Sequence, residues 1–370
     1  MTAIHIEPRP AVHQLRAFTP DLPDRTVGEL RRLLGLDEVI KLSFNESPYG
    51  PSPRVAEALQ QAARYVHWYH DPEGKELREK LAARYGVGSE QIFLANGADE
   101  AITLIAQAYL SPGDEAVIPA PTFGACAFST RLVGATPVFV PVRQDLAIDL
   151  AAMAQAVTPR TKLVYLCNPN NPTGMMTGGD ELRRFVAGLP EHVVVLIDEA
   201  YAEFVTDPAY LSGISLLPDH ANVVAVRTFS KIYGMAALRL GYGIARPELV
   251  ATVNRVRNPF NVNFLAHMAA LAALADDDFH RLVAARNAEQ RRRLTDAFTA
   301  MGWQVCPSQT NFLFADTGQD SAALCLALAR QGIIIRPGHG WQRPSFVRIT
   351  VGSPEQNDKL LAALRQLCGQ

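Results

Sequence analysis

Between Ile92 and Ala245 the chain alternates short apolar runs with longer helix-like segments. The runs are Ile92–Ala95, Glu115–Pro119, Thr136–Val140, Lys162–Cys167, Val193–Ile197, Val223–Val226 and Gly241–Ala245. Val193–Ile197 is apolar at every position, the pattern of a strand buried on both faces. This alternation predicts an α/β layer whose mostly parallel central sheet is flanked by helices. Ligands of such sheets bind beyond the carboxyl ends of the strands. Three polar segments directly follow strands: Asn168–Gly174, Asp198–Tyr201 and Thr228–Lys231.

After about Asn261 the pattern changes. One long helical region is expected over Ala266–Met301, with an exposed Arg291-Arg292-Arg293 stretch and a buried alanine-rich portion at Ala269–Ala275. Strand-like runs follow at Asn311–Phe314, Gly332–Arg336 and Phe346–Val351, and a terminal helix at Pro354–Leu367. The expectation is a large domain over residues 38–262 and a smaller α+β domain made from 263–370, joined by an N-terminal arm, 1–37. The arm is rich in Pro, Arg and Asp, has one helical stretch near Val27–Leu36, and reads as a segment that packs on something else. A chain of 370 residues exceeds one ordinary core, which agrees with two domains.

Composition narrows the partners. With 48% apolar and 19% charged residues the chain has the make-up of a compact soluble protein. A net charge of −2 gives no electrostatic reason to expect nucleic acid or an anionic membrane. Cys126, Cys167, Cys306, Cys325 and Cys368 are scattered, odd in number and without C-x-x-C spacing. They argue against a disulfide framework or zinc site and fit a cytoplasmic protein. The N-terminal Met1–Pro10 has no apolar stretch of signal-peptide type, and no run is long enough to span a bilayer.

The candidate chemistry centres on Lys231, within Arg227-Thr228-Phe229-Ser230-Lys231-Ile232-Tyr233-Gly234 and followed by Arg239. A primary amine beside two hydroxyls and a guanidinium supplies what is needed to hold an aldehyde cofactor as an imine and to grip its phosphate. Otherwise Lys231 is a surface lysine at a turn and Ser230 a helix cap. Asp198 ends the fully apolar strand; there a carboxylate can keep a pyridine nitrogen protonated and make the ring an electron sink, or simply cap a helix. Tyr201, three residues on, and Asn171 are placed to reach a phenolic oxygen on that ring. Gly97, Ala98 and Asp99 open a helix after Ile92–Ala95 and offer backbone N–H groups to a phosphate. Phe123 either stacks on the ring or belongs to the core. Arg348 lies inside an apolar strand and needs a partner, either an internal acid or a substrate carboxylate. Arg336 is a second candidate for an anionic group. There is no Walker A pattern, no dinucleotide fingerprint in context, and no H-E-x-x-H pair among nine histidines; no metal site is expected.

Taken in order, these motifs resemble the fold type I pyridoxal-phosphate aminotransferases, and specifically the histidinol-phosphate aminotransferase family. The resemblance runs from Lys41-Leu42-Ser43-Phe44-Asn45-Glu46-Ser47-Pro48-Tyr49-Gly50 through Trp68-Tyr69-His70-Asp71-Pro72, Gly74 and Leu77-Arg78 to Asn258–Asn263 and the Arg348 strand. It implies pyridoxal 5′-phosphate as cofactor and a homodimer with shared active sites. Tyr69 then reaches the phosphate of the cofactor in the partner subunit. Lys231 is implied as imine partner and as the base that moves a proton between substrate and cofactor carbons. An amine donor, a 2-oxo acid acceptor and two half-reactions follow from the same resemblance. Phe18, Asn45, Tyr49, Asn171, Arg336 and Arg348 are the implied substrate contacts. Three positions depart from the family pattern by losing hydroxyls: Phe18 (after Ala17), Cys126 and Phe260. A less polar pocket discriminates less well against apolar rings, so aromatic amino-acid transamination stands beside histidinol-phosphate transamination. Decarboxylation of a phosphorylated amino acid, and cofactor binding without turnover, are the remaining alternatives.

Overall fold

The computed structural model describes residues 6–367; the first five residues of the N-terminal arm and Cys368 lie outside the described residues. Seven strands form the large sheet in the order Ile92–Ala95, Gly241–Ala245, Val223–Thr228, Val194–Asp198, Thr161–Cys167, Glu115–Ala120, Thr136–Pro141. All run parallel except Gly241–Ala245, which is antiparallel to both neighbours. The expected mostly parallel sheet flanked by helices is therefore present. Every residue of Val194–Asp198 and of Val223–Thr228 is buried, because helices cover both faces and leave no water-facing side to the pleat.

Gly241 has a positional reason. A Cβ there would lie 2.6 Å from the backbone of Gly97 and Ala98. Without it, the start of the Gly97–Tyr109 helix rests directly against the antiparallel strand, beside the end of Val223–Thr228.

The second body holds a four-stranded antiparallel sheet ordered Arg336–Pro337, Phe346–Thr350, Phe312–Asp316, Gln304–Val305. Phe298, Leu313, Leu328, Ile349 and Leu360 are among its fully buried core side chains. The terminal helix spans Pro354–Leu367, as its periodicity predicts. The run Gly332–Arg336 divides: Ile333–Ile334 pairs in parallel with Ile40–Lys41, while Arg336–Pro337 joins the four-stranded sheet.

Two expectations are corrected. The helical region Ala266–Met301 is two helices, Phe264–Leu274 and Asp277–Ala300. The break falls at Asp276, whose side chain caps the second helix by accepting from the Phe279 N–H at 3.4 Å. The Arg291–Arg293 stretch is not uniformly exposed: Arg291 is buried, and donates to the carbonyls of Phe204 (3.2 Å) and Thr310 (2.9 Å). Packing also crosses the division at residue 262. Ala266, Ala269, Ala270 and Ala273 join the core of the large sheet, whereas Ile40 and Leu42 join the second core.

Part of the N-terminal arm packs on the second body. Its helix, Val27–Leu34, is bounded by a Thr26–Glu29 capping box and by Gly35 in the left-handed region. Leu30 buries itself against Val39, Ala329 and Ile334. Among the described residues no helix is long and apolar enough to cross a membrane.

Candidate active site

At the carboxyl ends of the parallel strands lies a cavity of about 780 Å³, within the usual range for small-molecule sites. It collects most of the residues singled out from sequence: Phe18, Asn45, Ala98, Asp99, Phe123, Asn171, Asp198, Tyr201, Thr228, Ser230, Lys231, Arg239, Arg336 and Arg348 all line it. Gly97 sits immediately behind Arg239. Asp24, Phe44, Glu46, Ala200 and Trp341 also line the wall; Asp24 and Trp341 stand in segments that carry no motif.

Two expected residues lie elsewhere. Tyr69 is 87% exposed and packs on Phe260, with ring centroids 4.8 Å apart. Tyr49 turns toward a separate, smaller cavity, where Arg286 stacks 5.4 Å over its ring and its hydroxyl has no partner among the described residues. Of the three positions that lose a hydroxyl, only Phe18 lines the cavity. Cys126 is buried in the core and Phe260 belongs to the Tyr69 surface.

One end of the cavity is built for an anion. The Ser230 backbone N–H donates to the Thr228 hydroxyl at 3.1 Å, and that hydroxyl donates to Ser230 Oγ at 3.0 Å. Arg239 reaches the same Ser230 oxygen at 3.5 Å and pairs with Asp99 at 3.0 Å. The facing Gly97–Tyr109 helix has no side-chain cap, since Asn96 makes no capping bond. Its leading N–H groups and positive dipole end are thus directed at the arginine's surroundings. Gly97 has φ +84°, and a Cβ there would come within 2.6 Å of Arg239 Nη2. Glycine is needed both for the backbone conformation and for the arginine's approach.

In the middle stand the titratable groups. Lys231 Nζ donates to the Phe44 carbonyl at 3.0 Å. Its pKa is lowered to about 8, chiefly by burial and then by the charge of Arg348, against the opposing influence of Glu46 and Asp99. Asp198 is buried, and one of its oxygens accepts from the Ala200 N–H at 3.0 Å. Burial raises its pKa to about 7, against that hydrogen bond. Burial likewise raises the Tyr201 phenol. The phenol oxygen accepts from Asn45 Nδ2 at 3.0 Å and from Asn171 Nδ2 at 3.4 Å. With two accepted bonds, its own proton remains available to a group in the cavity.

At the far end Arg348 is buried, with no carboxylate partner among the described residues. Its Nη1 donates to Asn171 Oδ1 at 2.7 Å and its Nη2 to the Ser43 carbonyl at 2.7 Å, while Nε has no partner. Burial lowers its pKa to about 10. Arg336 Nε donates to the same Ser43 carbonyl at 3.3 Å, and its Nη2 pairs with Asp24. Two guanidinium groups therefore converge on one carbonyl oxygen, served by a single acid among the described residues.

This set fits pyridoxal phosphate. The N–H-rich cationic end suits its phosphate, the amine of Lys231 its aldehyde, the buried carboxyl of Asp198 its ring nitrogen, and the Tyr201 proton with Asn171 its phenolic oxygen.

Comparison with known proteins agrees. The family model for class I and II aminotransferases matches residues 37–364. A histidinol-phosphate aminotransferase of Moorella thermoacetica is 42% identical over 352 residues, covering 95% of this chain and 91% of the relative. The crystal structure of histidinol-phosphate aminotransferase from Sinorhizobium meliloti in complex with pyridoxal-5′-phosphate superposes with a TM-score of 0.90 at 30% identity, covering 100% of this chain and 99% of that one. L-threonine-O-3-phosphate decarboxylase from Porphyromonas gingivalis matches with a TM-score of 0.78 at 26% identity, over 89% and 98% of the two chains.

Proposed function

The chain belongs to the class I and II aminotransferases and is a pyridoxal-phosphate-dependent transaminase; from that premise we propose that it transfers the amino group of histidinol phosphate to 2-oxoglutarate, in histidine biosynthesis. The observation that carries the substrate is the far end of the cavity. A buried Arg348 with no acid partner among the described residues and an unpartnered Nε, beside Arg336, suits an anionic group on the substrate. The relatives named for this activity support the same reading.

When bound, the cofactor supplies an aldehyde that takes up the amine and a ring that draws electrons from the carbon losing its proton. The chain's residues do the rest. Lys231 would hold the aldehyde through its Nζ. It then carries a proton at that nitrogen, a role its lowered pKa suits. Asp198 would keep the ring nitrogen protonated. Tyr201 would donate its proton and Asn171 its amide to the phenolic oxygen. Thr228, Ser230, Arg239 and the backbone of Gly97, Ala98 and Asp99 would hold the phosphate, and Phe123, on the cavity wall, would offer the ring an aromatic contact. Asn45, Asn171, Arg336, Arg348 and, at the rim, Phe18 meet the substrate.

Tyr69 and Tyr49 have no place in this single-chain cavity. Tyr65, Val66, Trp68, Tyr69 and Phe260 are exposed apolar side chains, with Tyr65 packed on Trp68 and Tyr69 on Phe260, the kind of surface that marks an interaction site. In the proposed homodimer this patch is covered and Tyr69 reaches the partner's phosphate site. Light scattering on the purified protein tests the dimer. The four described cysteines are free thiols, in keeping with a cytoplasmic location.

Aromatic amino-acid transamination is the second reading, favoured by Phe18, Phe44 and Trp341 on the cavity wall. The test is a steady-state comparison of histidinol phosphate, phenylalanine and tyrosine as donors, with carbon dioxide release followed in parallel. A tenfold or larger preference for histidinol phosphate is expected. A tenfold preference for the aromatic amino acids, or carbon dioxide release without any keto acceptor, overturns the proposal.

A further inference from the structure

We infer that Asp24 sets the anionic charge that the substrate end of the cavity accepts, acting as an internal competitor for Arg336. The turn Leu22–Asp24 is tied down at both sides. Ser43 Oγ donates to the Pro23 carbonyl at 2.8 Å, and Asp24 Oδ2 accepts from the Asp21 N–H at 3.0 Å. The other carboxylate oxygen of Asp24 rests on Arg336. Its side chain is only 8% exposed, yet the residue lines the cavity. It is therefore a fixed wall charge rather than a solvated one.

The charges at this end can be followed individually. Lys41 lies 3.6 Å from Glu46, its own acid. Arg336 and Arg348 share the Ser43 carbonyl, and Asp24 is their one ion partner among the described residues. One positive charge is left over, centred on Arg348. A monoanionic carboxylate matches that charge and meets Arg348 without disturbing Asp24. A dianionic phosphate engages both guanidinium groups and so contends with Asp24 for Arg336, by direct displacement or by repulsion in a poorly solvated wall. Asp24 thus weakens phosphate binding more than carboxylate binding, and narrows the gap between phosphorylated and carboxylated donors. It is a specificity-determining residue; it touches none of the reacting atoms. The inference rests on reading Arg336 and Arg348 as the substrate's anion site.

The experiment uses the holoenzyme, in which the cofactor's phosphate pocket is filled, so that added inorganic phosphate reports the substrate end. Calorimetric titration with inorganic phosphate is run on the native enzyme, Asp24→Asn, Asp24→Glu and Arg336→Gln. Asp24→Ser supplies a second charge-free variant if Asn disturbs the turn. Expected is at least tenfold tighter phosphate binding in Asp24→Asn, near-native binding in Asp24→Glu, and weaker binding in Arg336→Gln. In turnover, KM for histidinol phosphate should fall severalfold in Asp24→Asn, while KM for phenylalanine moves less than twofold. Phosphate binding that is unchanged or weaker in both charge-free variants overturns the inference, as does an equal change for both donors. The titration decides the role of Asp24 even if the native enzyme fails to turn over histidinol phosphate, an outcome that would overturn the substrate proposal instead.

Discussion

The reactivity of Lys231 is a quantity that the cavity sets, and it is open to direct titration. In the cofactor-free protein, capture of pyridoxal phosphate requires the neutral amine. A lysine at its ordinary 10.5 is neutral to about one part in 3,000 at pH 7; at about 8 it is neutral to about one part in ten. The cavity therefore raises the reactive fraction by about two to three orders of magnitude, equivalent to about 3 kcal/mol. Burial contributes most, with Arg348 next and Arg239 behind it, whereas Glu46 and Asp99 oppose them. Stopped-flow absorbance of cofactor capture across pH 6.5 to 9.5 should give a rate that rises with pH and levels off above about 8. Two variants test the causes separately. Arg348→Leu removes a charge that lowers the pKa and should move the inflection to higher pH. Glu46→Gln removes one that raises it and should move the inflection to lower pH. An inflection near 10 in the native protein, or both variants shifting in one direction, would refute the electrostatic account. Lys231→Ala should show neither capture nor the visible band of lysine-bound cofactor.

Gly97→Ala should weaken cofactor binding tenfold or more, because a Cβ at φ +84° would come within 2.6 Å of Arg239 Nη2; equilibrium dialysis of the cofactor checks this, and unchanged affinity counts against the cradle. His267 is held near pKa 4, chiefly by burial and next by His70, and its Nε2 is unpartnered among the described residues. The unfolded chain binds its proton near 6.5, so this contribution is complete above pH 6.5 and is lost as pH falls toward 4. Urea unfolding should register about 3 kcal/mol of that loss between pH 7 and 4, and His267→Leu should flatten the slope by a comparable amount. Arg291→Leu leaves the carbonyls of Phe204 and Thr310 without their donor and should destabilise the protein by about 2–4 kcal/mol; a loss under half a kcal/mol by the same measurement would contradict the pinning role.

The cofactor end of the cavity was legible because its signals are local. Asp198, Asn171 and Lys231 each follow a run of apolar residues, and strands buried on both faces announce where their ends must lie. What escaped depends on distant partners. Nothing near Arg291 in sequence says that its guanidinium meets carbonyls from two remote loops, so three consecutive arginines read as solvent-facing. Asp276 is the signal that could have divided the Ala266–Met301 region, since an acid before Asp277-Asp278-Phe279 is a helix start in its own right. The acid on Arg336 was beyond reach, since 312 residues separate it from Asp24. Whether Arg348 met an internal acid or stayed free was equally undecidable from an apolar strand pattern; its answer lies in the Ser43 carbonyl and Asn171.

Those long-range contacts also connect the two ends of the cavity. Arg348 donates to Asn171 Oδ1, Asn171 Nδ2 donates to the Tyr201 hydroxyl, and Asn45 donates to the same hydroxyl while its Oδ1 accepts from Thr350. The substrate-facing guanidinium and the cofactor-facing phenol are thus two ends of one hydrogen-bonded chain with a shared amide between them. An anion drawn onto Arg348 competes with Asn171 for that guanidinium, depolarising the amide and so loosening its donation to Tyr201. Because Tyr201 is buried and its phenol is held above its ordinary pKa, it answers as a neutral donor and not by losing its proton. The substrate's anionic group, remote from the carbon that loses its proton, is in this way coupled to the groups around the cofactor's phenolic oxygen. Asp24 acts one step further out, through Arg336 and the Ser43 carbonyl that both arginines share.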